Sequence, residues 1–90
     1  MTIQAEVSIY PLRVKSLSEP IDEFCRILRS SGLELRTGSM STFIIGESQT
    51  VFQALERAFE KLAKECDVVM EIKISNACPQ SETEYNSRKE

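Results

Sequence analysis

Residues 33–46, which read LELRTGSMSTFIIG, decide how the rest of the chain is interpreted. The segment 33–37 alternates between apolar and polar residues, and the segment 42–45 is rich in β-branched and aromatic residues. The intervening Gly38-Ser39 pair is typical of a turn. The stretch therefore predicts two short strands that are joined by a tight turn and pair antiparallel.

A helical pattern lies on each side of this hairpin. Ser18 and Pro20 predict the start of a first helix, since serine can cap and proline suits the first turn, and Gly32 predicts its end. Ser48 or Thr50 is the predicted cap of a second helix. The apolar positions with helical spacing are Ile21, Phe24, Cys25 and Leu28 in the first helix and Val51, Phe52, Leu55, Ala58, Phe59, Leu62 and Cys66 in the second.

Two further strands are predicted by strict alternation at 3–10 and at 68–75. Pro11 is expected to end the first of them, because proline cannot donate to a sheet ladder. The order βαββαβ predicts an α+β, ferredoxin-like fold. It has a four-stranded antiparallel sheet with the first and third strands in the middle and both helices on one face.

The length of 90 residues predicts one domain with one core. We expect this domain at 1–79 and a flexible polar tail at 80–90. A chain of this size buries only about 60–65% of its unfolded surface, so further burial against a partner is expected. The sequence has no apolar run of membrane-spanning length and no secretory signal after Met1, so the cytoplasm is the expected compartment.

Composition argues against several classes of function. The chain has no histidine, which removes the commonest acid/base group and a common metal ligand. Its net charge is −3 and its basic residues are interleaved with acids, so nucleic acid is not an expected partner. The three cysteines lack disulfide or zinc spacing, and phosphate-loop and dinucleotide motifs are missing. We expect no catalysis, metal or cofactor; a small phosphatase would have to use Arg13 in an anion-binding loop.

The third predicted strand carries apolar residues on both of its faces. Phe43 and Ile45 point one way and Ile44 points the other. Because both helices are expected on one face of the sheet, the apolar residues of the far face need another cover. We expect the sheets of two copies of the chain to stack there.

Polar and small residues collect at three strand ends, at 8–11, 38–42 and 75–79. Such residues are common in ordinary turns, and on pattern alone this interpretation is preferred. The same residue types also suit a site that recognises a small polar ligand, because a hydroxyl can both donate and accept a hydrogen bond.

Several short segments stand out together in order over 3–79, and their residues are Ser8, Tyr10, Pro11, Ser41, Thr42, Gly46, Val51, Phe52, Ala54, Val69, Met70, Ser75, Cys78 and Pro79. In these residues the chain resembles the YkoF-like family of thiamine- and hydroxymethylpyrimidine-binding proteins. The resemblance implies a ferredoxin-like fold, binding of thiamine or its pyrimidine moiety without catalysis, and an assembly of four ferredoxin-like units. The namesake has two units in one chain, so a one-unit chain would form a dimer of dimers. The alternative is a structural or regulatory oligomeric module without a thiamine site.

Strand direction predicts which of these residues share a ligand. The end of the first strand meets the start of the third and the start of the fourth, so a pocket with an aromatic wall, hydroxyls and a carboxylate from Glu71 or Glu6 is expected there. Glu71 and Lys73 could instead form ion pairs at the surface or at a subunit interface. The 75–79 segment leaves the sheet at the opposite end, where it could serve a subunit contact or a neighbour's pocket. The predicted ligand-binding residues are Ser8, Tyr10, Met40, Ser41, Thr42, Glu71, Ser75 and Cys78.

Overall fold

The computed structural model describes residues 1–38 and 40–77, which form one sheet covered on one face by two helices. The sheet order is β2-β3-β1-β4, and every pairing is antiparallel. This arrangement confirms the predicted ferredoxin-like βαββαβ fold. The elements are β1 (Thr2–Leu12), α1 (Ser18–Ser30), β2 (Glu34–Thr37), β3 (Thr42–Glu47), α2 (Ser48–Ala63) and β4 (Asp67–Ser75).

The core lies between the helices and one face of the sheet. Alternate β1 residues face the helices, as their period of two predicts, and the same holds for Ile44 of β3. Burying each large side chain contributes about 1.5–3 kcal/mol, so this single layer of contacts holds the fold together. The buried apolar residues are Ile3, Ala5, Val7, Phe24, Cys25, Leu28, Leu33, Ile44, Val51, Ala54, Leu55, Ala58 and Leu62.

β1 is longer than the sequence predicts, and the prediction that Pro11 ends it is wrong. Pro11 lies opposite Val68, and the strand continues to Leu12. The pairing of β1 with β3 stops at Val7, so beyond that point β1 has only β4 as a neighbour among the described residues. Proline is tolerated there because one edge of the strand needs no backbone donor.

The helix starts also differ from the prediction. Leu17 and Glu47 occupy the cap positions of α1 and α2, and neither helix has a side-chain cap hydrogen bond. The Ser18 hydroxyl instead lies 3.0 Å from that of Ser16. The predicted end of α1 is confirmed, since Gly32 follows the helix with a φ of +81°, a conformation that glycine adopts at little cost.

Among residues 1–38 and 40–77, no helix lies over the second face of the sheet, and we call it the open face. Phe43 on this face is 39% exposed, and its neighbour on the same side of β3, Ile45, is half-buried. The apolar residues expected on the uncovered side of β3 are therefore present. In the described part of the chain, no helix is long and apolar enough to cross a membrane.

Candidate functional site

Three strands bring polar residues together at one end of the open face. The register places Ser8 opposite Glu71 and Tyr10 opposite Val69. Glu6, one step along the same face of β1, lies opposite Phe43 of β3. The predicted meeting of the end of β1 with the starts of β3 and β4 is therefore present in the structure.

Glu6 is the charged group of the open face that is best positioned to contact a ligand. The Ser41 hydroxyl donates a hydrogen bond of 2.8 Å to Oε2 of Glu6, and Nζ of Lys73 lies 3.9 Å from Oε1. The Glu6 side chain is 35% exposed, whereas that of Lys73 is 85% exposed. An ion pair of this length and exposure is weak, so the Glu6 carboxylate is oriented by Ser41 while it stays accessible to a cation.

Ser8 and Tyr10 continue the polar and aromatic surface along β1. The Ser8 hydroxyl donates to the backbone carbonyl of Met40 at 3.3 Å, which leaves its oxygen free to accept a hydrogen bond. The Tyr10 ring is 47% exposed and lies beside Val69, which is also exposed. The two side chains form an accessible apolar patch next to the hydroxyls, and a flat heterocycle requires such a surface.

Thr42 does not lie with these residues, although it was predicted to. It is opposite Val7, on the side of the helices, and is only 8% exposed. Side chains of a strand alternate between faces, so its neighbour Ser41 reaches the open face and Thr42 does not. The sequence already shows this alternation. Because Phe43 and Ile45 share one face of β3, Thr42 belongs to the other face.

Ser75 lies apart from this group, as the strand directions predict. It is opposite Gln4 of β1, four residues along β4 from Glu71, which corresponds to about 13 Å. The Ser75 hydroxyl accepts a hydrogen bond of 3.0 Å from the backbone of Ala77, an ordinary local turn contact. The predicted site residue Cys78 lies outside the described residues.

A cleft of about 520 Å³ on the helix side was not predicted. It lies between the loop after β1, the first turns of α1 and the residues after α2, with Asp22, Lys15 and Cys66 in its lining. Charges of both signs line it, and Glu23 forms an ion pair with Arg26 at its wall. Sequence periodicity could not reveal this cleft, because it depends on how the end of α2 approaches the start of α1.

Among the described residues, the other groups that could bind an anion or a metal are already paired or are too few to form a site. Arg13, which a phosphatase would need for its anion, forms an ion pair with Asp67. No group of three histidine, cysteine or acidic residues that could hold a metal occurs within 1–38 and 40–77. The pKa of Glu47 is lowered, chiefly because the N-terminal ammonium and the Thr2 hydroxyl donate hydrogen bonds to it, but Glu47 lies far along β3 from Ser41.

The fold places the chain among the ferredoxin-like α+β proteins, and comparison with known proteins defines it further. A family model described as thiamine-binding protein matches residues 5–84. The chain therefore belongs to the thiamine-binding protein family, which confirms the resemblance seen in the sequence and gives it a thiamine-related role. A comparison with curated proteins gives no match.

Solved structures support the fold. A hypothetical protein from Methanocaldococcus jannascii has a TM-score of 0.83 at 23% identity, over 98% of this chain and 95% of that one. A protein from Streptococcus pneumoniae has a TM-score of 0.80 at 21% identity, over 97% and 99%. A proposed thiamine biosynthesis or salvage protein from Thermotoga maritima has a TM-score of 0.80 at 19% identity, over all of both chains.

Proposed function

We propose that this protein binds thiamine or its hydroxymethylpyrimidine moiety without catalysis, as a cytoplasmic homo-oligomer. The observation that carries the proposal is the Glu6 carboxylate, which Ser41 orients on the open face of a member of the thiamine-binding protein family. Glu6, Ser8, Tyr10, Ser41 and Glu71 form the proposed site, which we call the open-face site.

The chemistry of this site matches both halves of thiamine. The thiazolium ring carries a positive charge, and carboxylates at Glu6 and Glu71 attract a cation that lies over the sheet. The aminopyrimidine ring is flat and offers donors and acceptors at its edge. The Tyr10 ring can stack on it, while the hydroxyls of Ser8 and Ser41 can pair with its edge.

The open face also supports the proposed oligomer. Phe43 and Ile45 leave apolar surface there that the helices do not reach, and a second sheet stacked on it would bury this surface. Such a partner would exclude water from a ligand between the sheets, which strengthens its interaction with Glu6. A dimer of such dimers would reproduce the four-unit assembly that the family resemblance implies.

Titration calorimetry of the wild-type chain and of Glu6→Gln tests this proposal. We expect thiamine to bind the wild type saturably and to bind Glu6→Gln about tenfold or more weakly, because a charge-assisted contact is worth about 1.5–3 kcal/mol. Hydroxymethylpyrimidine, which lacks the cation, should be much less sensitive to this change.

Asp22→Asn is the matched control, since it removes one carboxylate from the helix-side cleft and leaves the open face intact. Its affinity for thiamine should equal that of the wild type. If Asp22→Asn weakens binding and Glu6→Gln does not, the ligand occupies the cleft and the open-face site is wrong.

The exposed Phe43 also favours a second candidate, a structural or regulatory oligomer without a ligand. In that case the partner's sheet fills the open face completely. Ligand-binding measurements distinguish the two candidate functions. The second predicts an oligomer that gives neither binding heat nor a thermal shift with millimolar thiamine or hydroxymethylpyrimidine.

A further inference from the structure

Lys73 lies next to the open-face site and carries a charge opposite to that of its two carboxylates. The register places Lys73 of β4 directly opposite Glu6 of β1, and Glu71, two residues earlier on the same face of β4, opposite Ser8. Alternate residues of one strand are about 7 Å apart, and the Cβ atoms of directly opposite residues are about 5 Å apart. The Lys73 ammonium is therefore within reach of both carboxylates.

The contact between Lys73 and Glu6 is easily broken. Nζ of Lys73 is 3.9 Å from Oε1 of Glu6, and the lysine side chain is 85% exposed, so solvent screens the pair. The other oxygen, Oε2, accepts the hydrogen bond from Ser41 at 2.8 Å. Because the two contacts use different oxygens, the ammonium can leave while Ser41 keeps the carboxylate in place.

A cationic ligand competes with Lys73 for the same carboxylate oxygen. A thiazolium ring that approaches Oε1 of Glu6 repels the ammonium and displaces it. In a phosphate ester of thiamine, the phosphate is attached to the hydroxyethyl arm of the thiazolium ring, so it arrives on the same side of the ligand as the cation. Glu6 and Glu71 repel this phosphate, whereas a lysine ammonium on its flexible stem binds it.

The other basic residue that the register places on the open face is too far away for this role. Among the described strands, that residue is Arg36 of β2, which lies opposite Phe43 of β3. Phe43 in turn lies opposite Glu6, so two strand spacings, about 10 Å, separate Arg36 from Glu6. Lys73 is thus the basic group that can respond to the charge of a ligand at Glu6.

We propose that Lys73 determines how well the open-face site distinguishes thiamine from its phosphate esters, an inference that rests on the proposed function. In the free protein the Lys73 ammonium lies at Glu6, and bound thiamine displaces it. When a monophosphate ester binds, the displaced ammonium pairs with the phosphate and offsets the repulsion by the two carboxylates. Lys73 therefore opposes the binding of thiamine and supports the binding of its phosphate ester.

Titration calorimetry of the wild-type chain and of Lys73→Gln, with thiamine and with thiamine monophosphate, tests this role. Lys73→Gln should bind thiamine about two to five times more tightly, because no ammonium competes for Glu6. The same variant should bind the monophosphate about tenfold more weakly, because the phosphate has lost its partner. A damaged fold would weaken both ligands, so the opposite directions of the two changes identify the role in selectivity.

Two lysine variants and one further ligand are the controls. Lys73→Arg keeps the charge and should keep both affinities within about threefold of the wild type. Lys61→Gln removes the same charge from the exposed surface of the last turn of α2 and should change neither affinity by more than about twofold. Hydroxymethylpyrimidine carries neither the cation nor the phosphate, so its affinity should be the same for Lys73→Gln and the wild type.

Failure of this inference is distinguishable from failure of the proposed function. If the wild type binds thiamine but Lys73→Gln changes neither affinity, or changes both in the same direction, Lys73 does not determine the selectivity. Equal effects of Lys61→Gln and Lys73→Gln would also overturn this role, since they would arise from net charge alone. No binding of thiamine to the wild type would overturn the proposed function, and this inference with it.

Discussion

Ser41 and Thr42 are neighbours in the sequence with similar side chains, but the structure separates them. Ser41 reaches the open face and donates to Glu6 at 2.8 Å, whereas Thr42 is buried on the helix side opposite Val7. The sequence predicts hydroxyls at this strand end but assigns both to one pocket. Strict use of the strand period would have excluded Thr42, because residues 42 and 44 share a face.

This separation predicts different effects of two conservative changes. Ser41→Ala removes the hydroxyl that orients Glu6 and should weaken thiamine binding about three- to tenfold, in line with about 0.5–1.5 kcal/mol for a hydrogen bond. Thr42→Val should leave the affinity within about twofold of the wild type. Calorimetry on both variants measures this contrast, and equal losses in the two would contradict the assigned faces.

At the scale of the elements, the sequence predicts type and order well because each element has a clear period. The ends of elements are less predictable, since they depend on neighbours that periodicity does not reveal. Pro11 stays within β1 because β3 does not extend alongside it. Ile72 and Ile74 lie on the helix side of β4 but are each 38% exposed, because sequence gives the face of a strand and not the reach of a helix over it.

Leu33, the residue before β2, packs closely against Gly46 of β3. A Cβ atom on Gly46 would lie 2.5 Å from Cδ2 of Leu33 and 3.5 Å from Cγ2 of Val51. Gly46→Ala should therefore lower the free energy of unfolding by about 1–3 kcal/mol, as overpacking does. Urea denaturation measures the loss.

Leu33→Ala provides the control for this contact. The change should cost less in the Gly46→Ala background than in the wild type, because the alanine methyl group occupies part of the vacated space. Strictly additive losses of unfolding free energy would show that Gly46→Ala destabilises the protein through something other than contact with Leu33.

At the scale of the whole molecule, the uncovered face of the sheet is the feature that sequence and structure share. In the part of the chain that the structure describes, both helices lie on one side of the sheet, and Phe43 and Ile45 remain partly exposed on the other. The exposed apolar surface could be predicted from the apolar residues on both faces of β3. The geometry of the open-face site could not, because the Glu6–Ser41 contact joins residues that are 35 positions apart.

A charge placed on the open face tests the stacked assembly. Phe43→Glu should reduce the mass of the oligomer measured by light scattering, because it puts a carboxylate against the partner's sheet. Phe52→Glu is the matched control, since Phe52 is 54% exposed on α2 and lies away from the open face. Dissociation by Phe52→Glu with no effect of Phe43→Glu would assign self-association to the helix surface.

Chemical-shift mapping of the ¹⁵N-labelled protein shows, without any substitution, whether thiamine binds on the open face of the sheet. On titration with thiamine, we expect saturable shifts centred on the backbone amides of Glu6, Ser8, Tyr10, Ser41 and Glu71. Amides around Asp22 and Cys66 in the helix-side cleft should change little. Shifts centred on the cleft, or no shifts at millimolar thiamine, would show that thiamine does not bind at the open-face site.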